Sequence, residues 1–348
     1  MTSTQHLVFL AVVLARLVVP LFIPRYPLPA IVAALIIDGV DQTIFQAFHV
    51  TQVLGVYQSY DKALDIYYLV IAYTATMRNW DDPFAFRIAQ FLWYYRLVGV
   101  LAFELSGQNW LLFVFPNTFE YFFIAYEAVR VFWDPRRLSH RQLLWGAAFI
   151  WVVIKLPQEW WIHIAKLDAT DEIAAHPVLA TVLFALLAVV LTVFVVEVRR
   201  RAPAPDWRPR VRVDAPPSEN VPEDRRDWLL ATGEKAVLIS MILVIFANIV
   251  PTSLRSIDLA IVVVVVVVLN GVVTELLAST GRLPLSLIKR FAAIVVVNAV
   301  IFELLYWLGR DRHVNVAAAL FVLLLLSLII TLFDEYRGVR HRKLAAVG

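Results

Sequence analysis

The chain has 348 residues, 61% of them hydrophobic and only 17% charged, with a mean hydropathy of +0.73 and a formal net charge of +3. Soluble domains are nearer half apolar and a quarter charged, so this composition excludes an ordinary soluble domain and points to an all-helical, polytopic membrane protein. There is no cysteine, which excludes disulfides, thiolate chemistry and Cys-ligated metals.

Eleven apolar segments of membrane-spanning length can be drawn, over 6–24, 28–49, 61–77, 84–105, 109–132, 142–166, 175–198, 235–251, 257–278, 287–309 and 315–334. The N-terminus lacks a basic region, and Arg16 interrupts its apolar run, so the first segment reads as a retained helix rather than a cleaved signal. The second segment carries Asp38, Asp41, Gln42, Gln46 and His49. At 100° per residue these fall in one stripe about 140° wide. Asp61 and Asp65 stack one turn apart on the third segment. The fourth places Arg96 deep in the apolar region, with Glu104 beyond it; the fifth puts Asn117, Glu120, Tyr121 and Glu127 on one side. The sixth aligns Lys155, Glu159, His163 and Lys166 within about 80°, with Pro157 loosening the helix among them.

Residues 199–234 are rich in proline and arginine and have no apolar periodicity, so they read as an extended cytoplasmic linker. Its basic first half suits anionic lipid headgroups, with Trp207 at the interface. The linker divides the chain into a seven-helix module with a polar core, 1–198, and a four-helix apolar module with a basic tail, 235–348. In the second module Asn248, Asn270, Glu275, Asn298 and Glu303 read as interhelical hydrogen-bonding groups. With the N-terminus outside and the C-terminus inside, 23 basic residues lie on the inner side and five on the outer. That asymmetry predicts a multi-pass inner-membrane protein of that orientation. The basic residues are explained by topology, so no nucleic-acid partner is implied, and an oligomeric state is not legible.

Carboxylates in hydrocarbon are costly and normally face a bundle interior or a hydrated cavity. Five successive polar-striped segments therefore predict a shared polar site built from Asp38, Asp41, Gln42, Asp61, Asp65, Arg96, Glu120, Lys155, Glu159 and His163. Three readings are open. In the first, a transporter or translocator binds an ion, a small polar solute or a lipid headgroup there, with Arg96 and Lys155 as counter-charges. In the second, Asp38, Asp41, Asp61 and Asp65 hold Mg2+ or Mn2+, hard ions that prefer oxygen ligands. Asp38-Gly39, Gly55, Asp61 and Asp65 resemble part of the motif D-x2-D-G-x2-A-R-x8-9-G-x3-D-x3-D of the CDP-alcohol phosphotransferases. Leu35 stands at the first Asp position, Gln42-Thr43 at Ala-Arg, and the spacing from Gly55 to Asp61 is two residues longer. The resemblance implies a metal-dependent transferase of lipid metabolism. In the third reading the charges are structural ion pairs of a non-catalytic scaffold.

Overall fold

In the computed structural model of the chain, the described residues are 3–48, 50, 54–165, 173, 175–214, 225–249, 266, 269, 270, 287–308 and 316–345. Among them the regular elements are helices, with no strand. Three stretches, Ser3–Phe22, Pro83–Ser106 and Leu229–Phe246, are long and apolar enough to cross a membrane.

Helix α1 (Ser3–Val18) passes through a 3-10 turn (Val19–Phe22) and the chain reverses into α2 (Pro27–Ala47). Pro27 opens α2, where a missing N–H removes no helical bond. α3 (Leu54–Asn79) returns beside both. Val12, Phe45, Val50 and Leu64 form a small apolar cluster between the three, and the Tyr67 hydroxyl donates to the Leu17 carbonyl at 2.8 Å.

α4 (Pro83–Ser106) is capped by the Asp82 side chain, which accepts from the N–H groups of Phe84 and Ala85, and it ends at Gly107 with φ of 68°. The segment expected as one helix over 109–132 is two, α5 (Trp110–Val114) and α6 (Thr118–Phe132). Pro116 is the cause: it has no N–H for the helical ladder and drives Phe115 out of helical geometry. α6 alone has 15 residues, about 22 Å of helix against the ~30 Å hydrocarbon core of a bilayer.

α7 (His140–Phe149) begins with a capping box between Ser139 and Gln142. It continues as a π-helix (Ile150–Lys155), one α turn (Leu156–Glu159) and a second π-helix (Trp160–Ile164). The loosening expected at Pro157 thus takes the form of widened turns on either side of it, a geometry that accompanies functional sites more often than chance. The remaining helices are α8 (Pro177–Arg201), α9 (Arg225–Ile249), α10 (Leu287–Leu308) and α11 (Val316–Ala345).

The main core runs from α2, α3, α4 and α6 through to α9, α10 and α11. α11 lies along α3 and α10, and α9 touches α3, α4 and α11. The compositional change after residue 198 is therefore not a break in packing. At the centre, Tyr73 stacks on Trp93 (5.7 Å) and meets Phe119 edge-on (6.3 Å), while Trp80 stacks on Phe123 at 5.9 Å.

The stretch expected as one extended linker needs correcting. Its first residues finish α8 and its last ones start α9. Residues 202–214 form a strap docked on the ends of α6 and α1–α2. The N–H groups of Asp206 and Arg210 donate to the carbonyls of Phe132 (3.0 Å) and Val131 (2.9 Å), and Val213 donates to Arg25 (2.8 Å). The Trp207 indole donates to the carbonyls of Arg130 and Val131, each at 3.2 Å. A helix leaves its last carbonyls without partners, and the strap supplies them. Asp206 also accepts from the Asp134 N–H at 2.8 Å and pairs with Arg137. Residues 215–224 lie outside the described ones, as do His49, Lys166, Glu275 and most of the segment 257–278.

Candidate functional site

Four aspartates from two helices meet on one arginine from a third. Arg16 Nη1 donates to Asp41 at 2.5 Å and to Asp61; Nη2 donates to Asp65 at 2.5 Å and to Asp38. The four Nη hydrogens of a guanidinium are thereby shared among four carboxylates, a use that the fixed fork of arginine permits and a lysine would not. The Arg16 and Asp41 side chains are 3% and 2% exposed, whereas Asp38, Asp61 and Asp65 are 27%, 23% and 41% exposed. The cluster has a closed floor and an open rim. Measured along α2 from Arg25 and along α3 from Arg78, it lies about 20 Å from the strap end of the bundle.

One oxygen from each of Asp38, Asp61 and Asp65 lies within 4.8 Å of the others, close enough to share a metal ion; Asp41 is outside that set. Arg16 is the counter-charge of the four aspartates. The sequence holds its signal: a single arginine inside an uncharged apolar run needs an acidic partner somewhere in the bundle. The Gln42 side chain lies outside the described ones.

A second polar cluster follows directly. One turn beyond Asp65, the buried Tyr68 hydroxyl donates to Glu120 Oε1 at 2.8 Å. Asn117 Nδ2 donates to Glu120 Oε2 at 3.0 Å, and the Asn117 N–H donates to Glu159 Oε1 at 3.1 Å. Glu159 also meets His163 Nε2 (3.0 Å) and Lys155 Nζ (3.6 Å). Lys155 reaches Gln158 Oε1 at 2.9 Å and sits over the Tyr121 ring at 4.6 Å. The break at Pro116 makes this junction possible, because it frees the Asn117 N–H for Glu159 and the Phe115 carbonyl for Arg96, which donates to it at 3.0 Å. Asn117 Oδ1 and the Thr118 hydroxyl are buried here with no hydrogen-bond partner among the described residues. Of the predicted set, Glu120, Lys155, Glu159 and His163 are thus brought together. Glu127, named on the same stripe as Glu120 but not among the site residues, lies at the strap end of α6, where it accepts from the Trp80 indole (2.7 Å) and pairs with Arg130 (2.9 Å).

The clusters differ in charge balance. In the second, Lys155 and Arg96 match Glu120 and Glu159. In the first, the described residues set one guanidinium against four carboxylates, a formal excess of three negative charges among them. Two full charges 4.8 Å apart repel by about 3.5 kcal/mol even at an effective dielectric of 20. Such an excess is stable in an apolar bundle only with added positive charge, as protons on the carboxyls or as a bound cation. Searches among protein families, curated proteins and solved structures find no match to this chain.

Proposed function

We propose that the chain is a multi-pass inner-membrane transporter or translocator whose Arg16–aspartate cluster takes up a proton or a cation. The carrying observation is the four-to-one convergence of carboxylates on Arg16. A structural ion pair would be neutral, as the Lys155–Glu159 cluster is. The hydrogen-bonded series Tyr68, Glu120, Asn117, Glu159 and His163 supplies a polar route leading from it through the bundle. The arginines gathered at the strap end agree with that side being cytoplasmic in the N-outside orientation.

The test is flux. Full-length chain in proteoliposomes should dissipate an imposed proton or monovalent-cation gradient, and Asp65→Asn should slow this at least tenfold. Absence of flux for protons, sodium and potassium alike would overturn the proposal.

A metal-dependent transferase is the second reading, favoured by the shared reach of Asp38, Asp61 and Asp65. It requires Arg16 to yield part of its place to the ion. Mg2+-dependent transfer from a diphosphate-linked lipid donor, lost in Asp61→Asn, would support it instead.

A further inference from the structure

The outer face of α4 carries a groove unrelated to the aspartate cluster. Arg87, Gln90, Phe91, Tyr94, Tyr95 and Val98 recur one turn apart along it, and Phe115 from the α5–α6 break closes the far end; its volume is about 520 Å³. Phe91 and Val98 open to the outside, at 57% and 44% exposed. Tyr95 leans on Phe115 (4.5 Å) and Trp151 (4.8 Å), which fixes the groove wall.

The mouth is positively charged. Arg87 is exposed and has no ion pair among the described residues. The Arg340 guanidinium lies over the ring of Phe86, the residue before Arg87 on α4, at 3.4 Å. The acid beside them, Glu234, is held by Tyr73, Gln90 and Arg337. Three arginines therefore face one carboxylate. From Arg87 to Val98 the helix rises about 16 Å, the depth of one leaflet of a ~30 Å hydrocarbon core. α4 is itself one of the helices long and apolar enough to cross a membrane.

We propose that this groove binds one anionic glycerophospholipid, its acyl chain lying along Phe91, Tyr95 and Val98 and its phosphate on Arg87 and Arg340. A zwitterionic lipid offers the same chain but carries its own ammonium to the arginines. Free phosphate offers the anion without the chain. The groove requires both parts together.

The experiment is thermal unfolding of the full chain in maltoside micelles, titrated with dioleoylphosphatidylglycerol, dioleoylphosphatidylcholine or inorganic phosphate. Dioleoylphosphatidylglycerol alone should raise the midpoint saturably. Arg87→Gln should raise its half-saturating concentration roughly tenfold, the loss of one charge-assisted contact. Arg87→Lys should keep most of the effect, and Val98→Trp, which fills the groove, should abolish it. Asp65→Asn should leave it intact, so this result is separate from the fate of the cation site. Equal stabilisation by both lipids or by phosphate overturns the proposal. So does unchanged half-saturation in both Arg87→Gln and Val98→Trp.

Discussion

Arg16 contributes more to the fold than any one of its partners, because its removal leaves four carboxylates facing one another. Breaking a buried ion cluster on one side typically costs about 3–5 kcal/mol. Arg16→Gln should therefore lower the unfolding midpoint sharply in detergent, with Arg16→Lys intermediate because it keeps the charge but loses the fork. The aspartates should separate by exposure. Asp41, with a 2% exposed side chain, should behave as a structural partner whose change to Asn lowers stability; Asp65, 41% exposed, should lose flux at nearly unchanged stability. Thermal melts and flux assays on the same two variants check this. The aspartates themselves were legible from their stripes. Arg16 was not assigned to them because a stripe argument treats each helix alone, and the arginine's partners lie on two others.

Most helices coincide with the apolar runs to within a few residues, because proline, arginine and aromatic residues bound those runs on both sides. The exceptions are α3, α9 and α11, each of which runs seven to eleven residues beyond one end of its run, and the break between α5 and α6. The residues of the break lie inside one segment of membrane-spanning length, 109–132, so hydropathy hides it and only Pro116 marks it. Packing at the break is close: a Cβ on Gly99 would clash with the Phe115 side chain. Gly99→Ala should push α4 from the break and cost about 1–3 kcal/mol. Gly146→Ala, inside α7 where nothing lies within 4 Å, should instead raise stability by about 0.5–1 kcal/mol by the same unfolding measurement.

Across the whole molecule, the strap joins elements far apart in sequence through main-chain bonds, which leave no side-chain pattern to read. Its arginines signalled the charge of that side but not the docking. Asp206→Ala removes the acceptor of the Asp134 N–H and the partner of Arg137. Trypsin should then cut after Arg210 and Arg212 several times faster than in the unaltered chain. Acid should act similarly at one point. The Arg136 side chain hydrogen-bonds Asp134 and holds its carboxyl below the ordinary value of 3.8. A depressed folded value gives stability that is present above the unfolded value and lost as pH falls through the folded one. Protection of the Asp134–Arg137 turn on which Asp206 docks should accordingly be the same at pH 7 and pH 5 as far as the Asp134 carboxyl governs it, and lose that contribution only below about 3.8, as limited digestion with an acid-active protease would record.

The clamp on Arg16 also bears on the order in which the chain is made. α1 leaves the ribosome before α2 and α3, carrying a cation that hydrocarbon rejects by about 2.5–3.5 kcal/mol on translocon scales. Its partners arrive only with α2 and α3. In a bilayer the first three helices must therefore settle together, so truncation after α2 should leave α1 poorly inserted while truncation after α3 should not.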